Sequence, residues 1–199
     1  MPRIIDHDKR RRAIVDATLW VLAKQGLNGL TLKAVAERLG GTVSLVTHYY
    51  TSRQALVNDL SVRIAQSWEL EIARIEMGVE SSVERLCLFL KWLLPLSEEG
   101  ILEEGARIRL LAEGGQDPVI QGHFAEFDTQ VRAYLRTRLC PLVREDELDM
   151  NIDLLRTLIS GICLSVIERP GDWPASRQWA VVSRALGLMN IMLSEKENA

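Results

Sequence analysis

A chain of 199 residues with a net charge of −3, 47% apolar and 26% charged, is long enough to bury a sizeable core and has the composition of an ordinary globular protein. No apolar run approaches the roughly 18 residues of a membrane-spanning helix, and the opening MPRIIDHDKRRR lacks the apolar stretch and cleavage site of a signal peptide, so a cytoplasmic address and no membrane partner are expected. Cys87, Cys140 and Cys163 are odd in number, widely spaced and set in apolar stretches, which argues against a disulfide framework or a zinc cluster and for small buried hydrophobes.

The mean charge conceals a division. Residues 1–60 hold nine Lys/Arg against five Asp/Glu, a balance of +4, and residues 61–199 hold fifteen against twenty-two, a balance of −7. A phosphate-binding surface needs local positive potential and not a basic protein, so the run Lys9-Arg10-Arg11-Arg12 counts for more than the overall acidity.

All strong periodicity is helical and no segment alternates with period two, so the predicted class is all-α, with about nine helices. A first helix runs from about Asp8 to Lys24, with Ile14, Ala17, Thr18, Val21 and Leu22 on one face and Gly26 ending it. Leu30 to Leu56 then reads as two short amphipathic helices about Gly40-Gly41, the form of a helix-turn-helix. Leu32, Val35, Ala36 and Leu39 make the buried stripe of the first, which Thr31 caps. Thr42 is placed to cap the second, whose Leu45, Val46 and Tyr49 point inward while Val43, Ser44, Thr47 and His48 stay outside.

Ser52 caps a long fourth helix that Gly78 closes, and Ser81 with Glu84 forms a capping box for a fifth, which Pro95 ends or kinks. A helix over about Leu102 to Ala112 is broken by Gly114-Gly115. Asp117-Pro118 starts the next, which runs to about Val143. Helices over about Met150 to Ile167 and Pro174 to Leu193 complete the chain. The positive motif region ends within the fourth helix, which gives a DNA-reading three-helix domain over 1–54 and a helical ligand-binding and dimerisation domain over 55–199.

An ordered set of residues carries a family resemblance: Ile14, Ala17, Gly26, Leu30-Thr31, Val35-Ala36, Leu39-Gly40, His48-Tyr49-Tyr50, Ser52-Arg53 and Ala55-Leu56. In this register the N-terminal sixty or so residues resemble the TetR family of bacterial repressors. The region from about Gly105 to Met189 more loosely resembles the ligand-binding half of TetR-like repressors related to the choline-pathway regulator, through Asp117-Pro118, the aromatic helix after it, Gly161-Ile162 and the turn before Trp173. The chain departs from the family where Gly41-Thr42 replaces Val-Ser, where Val43 and Ser44 replace a basic residue and Gly, and where Tyr50 replaces Phe. The lost basic residue shifts the burden of recognition to Ser44, Thr47 and His48.

The candidate base-reading residues are therefore Val43, Ser44, Thr47 and His48, which offer a thymine-methyl contact and several hydrogen-bonding groups. The resemblance implies phosphate anchors at Thr31, Tyr49 and Arg53, and Arg10, Arg11, Arg12, Lys33 and Thr42 complete the candidate phosphate-binding set. One short recognition helix buries too little surface for tight specific binding, so a homodimer on a pseudo-palindromic double-stranded operator is expected. Its candidate seam is Leu155, Leu158, Ile159, Ile162 and Val166 with Val181, Val182, Leu186, Met189 and Ile191, stripes that serve equally as intrachain core. Phe89, Trp92, Leu96, Ile108, Leu111, Phe124, Phe127, Val131 and Tyr134 enclose either an effector cavity or a solid core.

The expected function is a ligand-responsive regulator, a repressor released by a small, largely apolar effector that the sequence does not name. No cofactor and no metal is expected. An enzyme reading lacks support: no glycine-rich loop follows a strand, no HExxH spacing occurs, and His7, His48 and His123 are scattered. An all-helical protein-binding adaptor, and a TetR-like activator or ligand-free regulator, remain alternatives.

Overall fold

The computed structural model describes residues 7–194, apart from the side chains at 61 and 63–67. Among the described residues there are nine α-helices, two 3-10 turns and no strand, as the helical periodicity predicts. The helices are α1 (His7–Gly29), α2 (Leu32–Arg38), α3 (Val43–Thr47), α4 (Arg53–Ile75), α5 (Ser82–Leu93), α6 (Glu98–Gly114), α7 (Pro118–Leu139), α8 (Leu148–Glu168) and α9 (Ala175–Leu188).

Local chemistry sets most of these boundaries. Gly26 has a left-handed φ of 71° and breaks α1 where the sequence places its end, and Gly40 (65°) and Gly78 (76°) turn the chain after α2 and α4. Side-chain oxygens of Thr31, Ser52, Ser81 and Asp117 accept from the amides of Ala34, Ala55, Glu84 and Val119 at 2.8–3.2 Å. Thr42 holds the N-cap position of α3 but its hydroxyl caps no amide: it meets the Ser44 hydroxyl at 2.9 Å, which corrects the expected cap.

The chain divides into two compact units. The first holds the chain through Trp68 together with Gly105–His123, and its core includes Ile14, Val21, Leu22, Leu30, Val35, Val46 and Leu56. The second holds Glu69–Glu104 and the chain from Phe124, around Ile72, Leu86, Phe89, Leu135, Leu155, Val166, Val182 and Leu186. The first unit takes in the end of α6 and the start of α7, which the 54/55 division leaves in the second domain, and the end of α6 packs against the end of α1. Gly114 is buried, and a Cβ there would lie 2.4 Å from Ile120 Cδ1 and 3.1 Å from Leu27 Cδ2.

Three further expectations need correction. Cys140 is exposed, since it follows the last residue of α7, whereas Cys87 and Cys163 are buried. Helix α9 ends at Leu188, where Met189 leaves helical geometry and Asn190 adopts a φ of 60°. Glu145–Glu168 is long and apolar enough to cross a membrane by length and composition alone, contrary to the expectation that no such run exists; about a third of its apolar window is buried within the chain.

Candidate nucleic-acid interface

The candidate reading face is built around one buried anchor. Helix α3 has five residues and only Val46, the fourth, is buried, so it is held from below near its C-terminal end. Tyr50, 5% exposed, supplies the second hold from just beyond the helix, and its hydroxyl donates to the Asp59 carboxylate on α4. A tyrosine where the related family has Phe thus adds a polar tie to the helix behind. Leu45 and Tyr49, expected inside, are half-buried.

On the opposite side Val43, Ser44, Thr47 and His48 are all exposed, Val43 by 42%. Their spacing of one, four and five positions puts them on one helical face. Ser44 meets Thr42 through its hydroxyl and Thr47 donates to the Ser44 carbonyl at 3.3 Å, so the two hydroxyl side chains are locally oriented.

The candidate phosphate contacts surround this face unevenly. Arg10, Arg11, Arg12, Thr31, Lys33, Thr42 and Arg53 are exposed, while Lys33 also pairs with Glu37 at 3.8 Å. Arg53 opens α4 and donates through Nη1 to the Leu27 carbonyl at 3.2 Å, which fixes it against the corner between α1 and α2. Tyr49 lies between two histidines. Its hydroxyl meets His7 Nδ1 at 3.1 Å, and the His48 ring stands edge-on to it with centroids 5.1 Å apart. Sequence reasoning missed His7, which lies 42 residues away; no local pattern announces such a contact.

The α1–α2 corner holds another unforeseen residue. The Glu113 carboxylate of α6 accepts from the amides of Leu27 (2.6 Å) and Asn28 (3.3 Å), and it occupies the space that a Cβ on Gly26 would fill.

The candidate effector residues fall in both units, Ile108 and Leu111 in the first and the others in the second. Phe89 and Val131 are fully packed, Leu111 is 45% exposed, and Trp92, Leu96, Ile108, Phe124, Phe127 and Tyr134 are half-buried. Phe89 stacks on Trp92 (6.1 Å, 15°) and tilts against Tyr134 (5.5 Å). The Arg138 guanidinium, unforeseen in this cluster, lies 4.7 Å from the Phe89 centroid and 5.0 Å from that of Tyr134, and its Nε donates to Glu76 at 2.7 Å. Burial, then the Glu69 and Glu76 charges, push the Tyr134 hydroxyl above its ordinary pKa, against the opposing pull of Arg138.

Of the candidate seam, Leu155, Ile159, Ile162, Val166, Val182, Leu186 and Ile191 are buried within the chain, and Leu158, Val181 and Met189 are half-buried. The outward stripe of α8 is a different one: Met150, Leu154, Thr157, Gly161 and Leu164. Met150, Leu154 and Leu164 are 71%, 48% and 45% exposed.

The family model for bacterial regulatory proteins, tetR family, matches residues 14–60. The HTH-type transcriptional regulator PksA of Bacillus subtilis is 27% identical over 103 residues, 52% of this chain and 50% of PksA, so the chain spans about half the length of that relative. A transcriptional regulator from Rhodococcus sp. Rha1 shares the fold with a TM-score of 0.80 at 18% identity, over 92% of this chain and 99% of that one. A putative transcriptional regulator from Saccharomonospora viridis, solved in complex with choline, does so with a TM-score of 0.77 at 16% identity, over 90% and 96%.

Proposed function

We propose that this chain, which belongs to the TetR family of bacterial regulatory proteins, reads a pseudo-palindromic DNA operator as a homodimer and represses transcription until a small effector releases it. The observation that carries this reading is the exposed face of α3, where Val43, Ser44, Thr47 and His48 lie over the buried Val46. A helix held at one buried point presents those four side chains to a major groove, and the exposed Arg10, Arg11 and Arg12 supply positive charge on α1.

The homodimer follows from the amount of DNA one five-residue helix can grip and from the outward stripe of α8. Two copies packed through Met150, Leu154, Gly161 and Leu164 would cover that apolar surface. Effector control is supported by analogy with the choline complex of the Saccharomonospora viridis protein. An effector releases the operator only if it binds the DNA-competent and released states with different affinity.

Selection of bound sequences from a random duplex pool tests the reading, followed by titration of the enriched duplex at two salt concentrations against Thr47→Ala/His48→Ala. The expected result is an inverted repeat whose selective binding weakens in the double variant and whose affinity falls steeply with salt. No enriched sequence and no salt-dependent affinity would overturn it in favour of a protein-binding adaptor.

A further inference from the structure

The second unit contains a half-open cavity of about 550 Å³ beside the end of α5 and the first half of α9. Ser176, Trp179, Ala180 and Ser183 line it from α9, at the three- and four-residue steps that share one helical face. Lys91 of α5 and Leu96 just beyond it contribute the other side. Leu96 belongs by sequence to the candidate effector set, yet it is here that the structure gives it a cavity to line. Its size falls within the range of about 300–1,000 Å³ typical of small-molecule sites.

The lining has a definite chemical bias. Lys91 is half-buried with its Nζ 4.6 Å from the Trp179 ring centroid, and among the described residues it has no carboxylate within ion-pair distance. An aromatic face stabilises an ammonium without neutralising it, and partial burial makes a counter-ion worth more than it is in open solvent. The Ser183 hydroxyl is buried with no hydrogen-bond partner among the described residues. Its oxygen is closed off from the cavity, so it does not contribute to a ligand's binding there. Helix α9, 14 residues long, has Pro174 at its N-cap with no side-chain cap, and its first-turn residues Ala175 and Ser176 line the cavity, so the positive end of its dipole lies at that end. Charge and dipole both favour an anion, while Leu96, Ala175, Ala180 and Trp179 present carbon.

We infer that this cavity is a ligand site for amphiphilic monocarboxylates, with the carboxylate drawn to Lys91 and a compact apolar body resting along Leu96, Ala180 and Trp179. The inference is independent of the DNA-reading proposal.

Isothermal titration of the full-length chain with octanoate, octylammonium and 1-octanol tests it, in the wild type, in Lys91→Gln and in Ala180→Trp, which fills the groove from an exposed position. The expected result is saturable binding of one octanoate per chain, weakened at least about tenfold in either variant, with no comparable binding of octylammonium or 1-octanol. Far-UV circular dichroism establishes that both variants fold, and either folded variant alone suffices. Absence of saturable octanoate binding would overturn the inference, as would equal binding of 1-octanol or an unchanged affinity in a folded variant. Octanoate binding that disappears as the chain is concentrated into self-association would give the cavity to a second copy of the chain and overturn it equally.

Discussion

The amide of Leu27 donates to the Glu113 carboxylate at 2.6 Å, joining the break in α1 to the end of α6 across 86 residues of sequence. The neighbouring Asn28 amide shares the same oxygen, and Gly26, with its left-handed φ of 71°, leaves the space in which the carboxylate sits. These amides belong to a helix break, where donors lack partners on their own helix.

Replacing Glu113 by Ala should therefore destabilise the chain by about 1.5–3 kcal/mol, the range for hydrogen bonds to a charged group. Glu113→Gln, which keeps an accepting oxygen, should cost less. Gly26→Ala should cost more than Glu113→Gln, because it combines an unfavourable φ with a Cβ 2.3 Å from Glu113 Oε1. Denaturant unfolding of the three variants measures the order, and a Glu113→Ala chain as stable as the wild type would show that the contact contributes nothing net.

On the proposed reading face, Thr47→Ala/His48→Ala should lower specific affinity by about 1–3 kcal/mol while leaving non-specific binding nearly intact. Arg11→Ala should instead weaken all duplexes alike and reduce the salt slope by about one. Fluorescence anisotropy with the selected duplex and a scrambled one, at several salt concentrations, separates the two behaviours.

The parts of this molecule that were legible in sequence are those whose cause is local. Gly26, Gly40 and Gly78 stand where left-handed backbone is needed, and Thr31, Ser52, Ser81 and Asp117 cap the amides two or three residues on. The cap at Thr42 failed because Ser44, two residues later, engages the same hydroxyl. Periodicity could not separate the inner from the outer stripe of α8, since the helix is apolar on both: Leu155 is fully buried and Leu154 is 48% exposed, one residue apart. Glu113 and His7 make contacts at sequence separations of 86 and 42, for which a linear pattern carries no mark. The exposure of Val43, Ser44, Thr47 and His48 was legible because on so short a helix it follows directly from which residue the helix must bury.

The pair Arg138–Glu76 is nearly enclosed, with side chains 8% and 17% exposed. Removing one partner leaves a charge in a poor dielectric, so Arg138→Met should destabilise by about 3–5 kcal/mol. Removing both charges, as in Glu76→Leu/Arg138→Met, should recover most of that loss. Urea midpoints of the single and double variants measure the coupling, and additive losses would show that the two groups do not depend on each other.

Asp128 is a case in which opposing effects have a clear winner. Burial disfavours its charge, but the hydrogen bond from Arg132 and the charges of Arg156 and Arg132 hold its carboxyl below the ordinary value. A carboxyl lowered in the folded state adds stability above its unfolded pKa of about 3.9, and that contribution fades as pH falls through the folded value. The wild type should therefore exceed Asp128→Asn in stability at neutral pH, with the gap closing below about pH 4. Thermal unfolding across pH 2–7 checks the sign; a gap that widened with acid would contradict it.

Leu154 and Leu155 separate the two uses of α8. If two copies meet through the outward stripe, Leu154→Glu places a charge in the seam and should yield a monomer that keeps its helicity and loses only the stability that assembly adds, because a residue already 48% exposed costs the single chain little when it becomes polar. Gly161→Arg should act in the same way, since nothing within 4 Å opposes a side chain there in the single chain. Leu155→Ala, at a fully buried position, should instead lower stability by about 2–5 kcal/mol and affect assembly only through folding. Sedimentation velocity with circular dichroism distinguishes these outcomes. Because the operator proposal needs two linked recognition helices, a folded Leu154→Glu monomer should also lose most specific affinity, and full affinity in that monomer would remove the reason for invoking a dimer.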